Sequence, residues 1–148
     1  MTPPARRPVS PPARRATEAD AVTAAAHARL AAQEAVDRRG QDVVLLDLRP
    51  LTGATDFFVI ATAESDVQVR AIADRIEERL RAEDLRPWHV EGLQHARWVL
   101  LDYVDFVVHV FHHEARSYYD LERLWADAPS EAILAPDPLA EPPAHPMD

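Results

Sequence analysis

The sequence has no cysteine and only three glycines among its 148 residues. Without cysteine there is no disulfide, no thiolate metal site and no cysteine nucleophile. GxGxxG and Walker loops depend on glycine to bring backbone amides against a phosphate, and neither pattern occurs. The GxSxG elbow of serine hydrolases is missing as well, which argues against nucleophilic hydrolysis. Lysine is absent too: all sixteen basic residues are arginine. No hydrophobic run comes near the roughly 20 residues a membrane helix needs; the longest lie near Val43 to Leu48 and Phe57 to Ala61. The opening MTPPARRPVSPPARR carries arginine but no apolar stretch, unlike a secretory signal. A cytoplasmic protein with no membrane partner is expected.

What is present is acidic and unevenly charged. The net charge is −9, yet Arg6, Arg7, Arg14 and Arg15 give the first sixteen residues +4 with no acid. Taking that +4 from −9 leaves −13 on the rest. Such a body repels nucleic-acid phosphates and attracts basic proteins. At 47% hydrophobic, the chain suffices for one domain with a proper core.

Residues 1–16, with their repeated PPARR, cannot bury enough apolar surface to offset the entropy of ordering and read as a disordered arm. Residues 17–127 read as the folded domain, and 128–148, rich in proline and acid, as a disordered tail. The domain opens with a helix: Thr17 as N-cap, Glu18 and Asp20 in the first turn, Arg38 and Arg39 in the last, Gly40 beyond. Val22, Ala25, Ala26, Leu30 and Val36 form its modest apolar face, which suits packing on the outside of a sheet. Val43 to Leu48 and Phe57 to Thr62 read as buried strands joined in a hairpin through Gly53. Ser65 and Gln68 stand at capping-box spacing before Val69, Ile72, Ala73, Ile76 and Leu80 at helical intervals. Leu85 to Glu91 is a short strand, its Pro87 best placed at an edge. Gly92 then opens a turn. Arg97 to Tyr103 and Asp105 to His112 form a second hairpin, followed by a helix ending near Trp125. The order α-β-β-α-β-β-β-α predicts an α/β fold, a mixed sheet of about five strands with helices packed on it.

Candidate chemistry concentrates in the second hairpin. His109, His112, His113 and Glu114 lie close in sequence, but strand alternation sends His109 and His112 to opposite faces, and no HExxH helix is present. Asp102 and Asp105 flank a turn, where aspartate commonly bonds nearby amides. Alternation also places Trp98, Leu100 and Asp102 on one face of the strand and Arg97, Val99, Leu101 and Tyr103 on the other, which is the better core face. In the last helix Tyr118, Leu121, Leu124 and Trp125 form one stripe and Arg116, Tyr119, Asp120 and Arg123 a wetter one. Trp98 is then either a protein-binding anchor or core beneath the first helix; parity leaves both open.

The segments TDFFVIAT (Thr55 to Thr62), SDVQVRAIAD (Ser65 to Asp74), EGL (Glu91 to Leu93), RWVLLDY (Arg97 to Tyr103), DFVVHVFHHEAR (Asp105 to Arg116) and YDLERLWADAP (Tyr119 to Pro129) closely resemble the ribosomal silencing factor family (RsfS, Iojap-like). Several motifs in the right order over about Thr17 to Pro129 make the resemblance specific. It implies a non-enzymatic, homodimer-forming translation regulator with a nucleotidyltransferase-like fold and no cofactor or metal. Such a protein binds the large ribosomal subunit at ribosomal protein fourteen and sterically blocks joining of the small subunit, mainly in starvation or stationary phase. The docking residues would be Trp98, Leu100, Asp102, Tyr103, Arg116 and Tyr119, with direct rRNA contact minor at most. The glycine-serine and paired-aspartate signature of nucleotidyltransferases is absent. A degenerate nucleotidyltransferase or metal-dependent hydrolase using Asp102, Asp105 and His109 is the alternative, and RNA binding through the arginine arm a third reading. One departure concerns the hairpin turn, where the family usually has glycine and this chain has Val104. Valine resists positive φ, so a different turn or a strained one is expected.

Overall fold

The computed structural model describes residues 18–135. The Thr17 cap, the arginine arm and most of the acidic tail lie outside the described residues. Helix α1 spans Glu18–Asp37, strand β1 Gln41–Asp47, β2 Phe57–Ala63 and helix α2 Asp66–Arg81. Strands β3 (His89–Glu91), β4 (Trp98–Asp102) and β5 (Phe106–His112) follow, then α3 (His113–Tyr119), α4 (Leu121–Leu124) and β6 (Ser130–Ala132). The sheet runs β3-β4-β5-β2-β1-β6. Only β2 and β5, at its centre, are parallel; the other neighbours pair antiparallel.

The fold is thus α/β with a mixed sheet, as expected, but with six strands. The sixth comes from the segment read as tail: after Ala128, which is buried, the chain pairs Ser130 with Leu46 and Ala132 with Val44. Its side chains are all exposed, so no hydrophobic alternation marks it. The Arg29 guanidinium fastens it to α1 by two bonds to Glu131, at 2.6 and 2.7 Å. The expected final helix is two short ones. Asp120, at φ 39°, breaks it and accepts the Arg123 N–H to start α4 at 3.3 Å.

Helices α1 and α2 cover one face of the sheet, over Val43, Leu45, Phe57, Val59, Ala61, Val99, Leu101, Val108 and Val110. The predicted α2 stripe is the buried one, residue for residue, and the Ser65 hydroxyl caps the Gln68 N–H at 3.1 Å. Gln68 departs from the standard capping box: it accepts the Glu64 N–H at 2.8 Å and donates to the Arg39 carbonyl at 3.1 Å, tying α2 to the end of α1. The α1 face needs correction. Ala24, Ala28, Ala31, Ala32, Ala35 and Val36 are buried, whereas Val22 is 70% exposed and Ala26 faces solvent. An alanine stripe brings the helix axis close to the sheet, and the larger apolar residues mark its margins. The helix ends with Arg39, not Gly40, in the left-handed region. Gly40 donates to the Ala35 carbonyl at 2.8 Å, closing a Schellman turn.

The β4–β5 turn keeps the glycine-type conformation without the glycine. Val104 has φ 73°, the Asp105 N–H reaches the Tyr103 carbonyl at 2.9 Å, and the Asp102 carboxylate accepts the Val104 N–H at 2.8 Å. A γ-turn of this hand is strained, the more so at a β-branched residue. Strain of about 1–3 kcal/mol exceeds the roughly 1 kcal/mol of unfolded-state entropy that glycine adds. Val104→Gly is therefore expected to stabilise the fold by about 1 kcal/mol and raise the melting temperature by about 4 °C. A thermal melt that falls would contradict this account of the turn.

Candidate docking face

The opposite sheet face is built from residues of opposite parity. β2 contributes Phe58, Ile60 and Thr62, β5 contributes Val107, His109 and Phe111, and β4 contributes Trp98, Leu100 and Asp102. The register places Trp98 across from Phe111, Leu100 across from His109, and Asp102 across from Val107, while Ile60 lies beside His109 in the parallel pair. Val44, Leu46, Leu48, Ile60, Phe111, Ala115, Leu121 and Ala128 form a second core here, with Phe58, Trp98 and Trp125 packed on it and only partly buried.

Those half-buried aromatics form a continuous run. The Trp125 ring stands edge-on to Phe58 at 5.9 Å, Phe58 edge-on to His109 at 4.5 Å, and Trp98 lies 4.8 Å from Phe111. The Trp98 Nε1–H donates to His109 Nδ1 at 3.0 Å. His109 is wholly buried, and that burial pushes its pKa down to about 3, so the ring stays neutral and keeps an acceptor for the indole. At the end of β5 the Arg97 guanidinium pairs with Glu114. That hydrogen bond holds the Glu114 carboxyl below its usual range.

The expected site residues do not form one exposed patch. Trp98, Leu100 and Asp102 share this face, but Leu100 is 7% and Asp102 1% exposed; parity assigns a face, not a depth. Asp102 serves the turn. Tyr103 lies on the other face, stacked on Phe106 at 4.9 Å in the α1–α2 core, where burial raises its phenol pKa. Arg116 is half-buried, donating to the Asp42 carbonyl at 2.5 Å and to the Thr62 hydroxyl at 2.7 Å. The Tyr119 side chain is outside the described part. Phe58 and Trp125 were missed, because only the parallel β2–β5 pairing brings Phe58 against His109.

The alternative catalytic set is not assembled. Asp102 and Asp105 flank the strained turn and His109 is clamped between aromatic rings. Among the described residues, three metal-ligand side chains converge within 4.8 Å only at His112, His113 and Glu114. His112 Nδ1 there accepts the Glu114 N–H at 3.3 Å, and burial and then the charge of Arg97 lower the His112 pKa. The His112 side chain is thus engaged in starting α3, and the Glu114 carboxylate in its pair with Arg97.

The family described as "Ribosomal silencing factor during starvation" matches residues 21–146. The chain belongs to this family of ribosomal silencing factors. The ribosomal silencing factor of Bacillus subtilis is 44% identical over 101 residues, covering 68% of this chain and 86% of its own. A crystal structure of a protein from Chromobacterium violaceum superposes with a TM-score of 0.67 at 31% identity, over 84% of this chain and 98% of that one. One from Bacillus halodurans gives 0.62 at 37% identity, over 71% and 95%. As a silencing factor the chain is a regulator of translation. Among the described residues no helix is long and apolar enough to cross a membrane.

Proposed function

We propose that this silencing factor docks on the large ribosomal subunit, at ribosomal protein fourteen, through the sheet face around Trp98. By occupying that position it keeps the small subunit from joining. The carrying observation is Trp98 itself, a large aromatic left partly exposed on a packed aromatic bed and held by a hydrogen bond. Interfaces draw most of their affinity from such rigid aromatic anchors. Leu100 and Asp102 follow Trp98 along the same face of β4, Asp102 setting the hairpin turn, and α3 carries Arg116 and Tyr119. Tyr103, in the opposite core, is left out. The −13 body favours approach to a basic ribosomal protein and disfavours rRNA phosphate. Repression by occupancy needs no bond made or broken, and a cytoplasmic, homodimer-forming protein is consistent with it.

Trp98→Ala is expected to weaken binding to purified large subunits by about 2 kcal/mol, roughly 30-fold, measured by co-sedimentation through sucrose. Small subunits serve as the control. Wild-type pelleting by a folded variant would remove Trp98 from the interface.

A further inference from the structure

We infer that His109 is a positioning residue, retained at a cost in stability to set the indole of Trp98 for docking; this rests on the reading of Trp98 as the anchor. His109 sits in the middle of β5 among Val107, Val108, Val110 and Phe111 and is 3% exposed. The residues paired with it across the sheet, Leu100 and Ile60, are apolar as well, so a leucine would suit this position in the fold. Its Nδ1 accepts the Trp98 indole N–H at 3.0 Å, so in the neutral ring the proton resides on Nε2. That Nε2 is buried and has no hydrogen-bond partner. A buried donor left unpaired is a standing penalty, which makes the residue a poor choice for stability alone.

Turning the ring to seek a partner would break the bond from Trp98. Phe58 meets it edge-on at 4.5 Å and an interplanar angle of 73°, and Phe111 lies nearly parallel to it, 6.2 Å away. This fixed imidazole sets the orientation of the indole above it. Trp98 is the half-exposed end of the pair, and without the acceptor its N–H would turn toward water and present another edge to a partner. A buried imidazole far from its titration range keeps that acceptor throughout physiological pH.

Two substitutions in the full chain separate positioning from packing. His109→Leu removes the acceptor and the unpaired donor together. Its melting temperature should equal or exceed wild type, the Trp98 indole N–H resonance (assigned with Trp98→Phe) should move to a solvent-exposed position, and large-subunit affinity should fall about tenfold. His109→Asn places an amide oxygen near the site of Nδ1 but leaves a void. It should melt lower, yet keep the indole resonance and most of the affinity. A stability gain with loss of binding in one variant, and the reverse in the other, is not what a merely structural histidine produces. Full binding by His109→Leu while Trp98→Ala fails would overturn the positioning role and leave the docking face standing. Equal binding loss in the Asn and Leu variants would also overturn it, since the acceptor would then not matter. Full binding by Trp98→Ala defeats the docking reading instead, and an unmoved indole resonance in His109→Leu defeats the positioning one.

Discussion

Phe111→Ala is expected to lower the unfolding free energy by about 4 kcal/mol, within the range for deleting a fully buried aromatic. Phe111 is among the largest wholly buried side chains, 1% exposed. It belongs to the smaller of the two cores, together with Val44, Leu46, Ile60, Ala115 and Leu121. Few side chains there can move in to fill the void. The substitution also removes the bed of Trp98, whose ring lies 4.8 Å from Phe111. Denaturant titration followed by tryptophan fluorescence should show a lower midpoint with an unchanged slope, together with a redder native spectrum. A loss under about 1.5 kcal/mol would mean that this core collapses onto the gap more readily than its packing indicates.

Gly92→Ala should be nearly as damaging, for a backbone reason. Gly92 has φ 89°, and a Cβ there would stand 2.0 Å from the Trp98 carbonyl oxygen and 3.3 Å from the Val99 Cα. These are atoms of β4 itself, so relief requires parting β3 from β4. The loop is also tied down: the Ala96 N–H bonds the Gly92 carbonyl at 3.0 Å, and Arg70 of α2 donates to the Leu93 and Gln94 carbonyls at 3.0 and 2.7 Å. Clash and left-handed strain together place the loss at about 3 kcal/mol or more. Gly53→Ala is the control, with nothing within 4 Å of its Cβ position; it should be neutral or stabilising by about 0.5 kcal/mol. Equal melting temperatures for the two variants would be inconsistent with these geometries.

Where one residue both packs and signals, sequence and structure agree. The large side chains of α2 recur at helical intervals and all five are buried. The parity of β4 separates Val99, Leu101 and Tyr103, under the helices, from Trp98, Leu100 and Asp102. Sequence and structure part where the signal is weak or remote. In α1 the packed stripe is alanine, whose small hydrophobicity is overshadowed by Val22 at the exposed margin. β6 has exposed side chains throughout and is a strand only because the β1 edge offers it backbone partners, as in the 2.8 Å bond from the Ile133 N–H to the Val43 carbonyl.

The amino-acid sequence by itself determined the α/β order of elements from α1 to β5, the family to which the motifs belong, and which residues of β4 share a face. These follow from local periodicity and from motif order, which are properties of the chain taken in line. Only the tertiary structure decided how deep those residues lie, that Tyr103 belongs to the opposite core, and that Phe58, His109 and Trp98 meet. Depth and contact depend on which strands become neighbours, and β2 pairs with β5 across some fifty intervening residues. Pairing at that separation is selected by how the whole sheet closes its two cores, a choice that no short stretch of the sequence records.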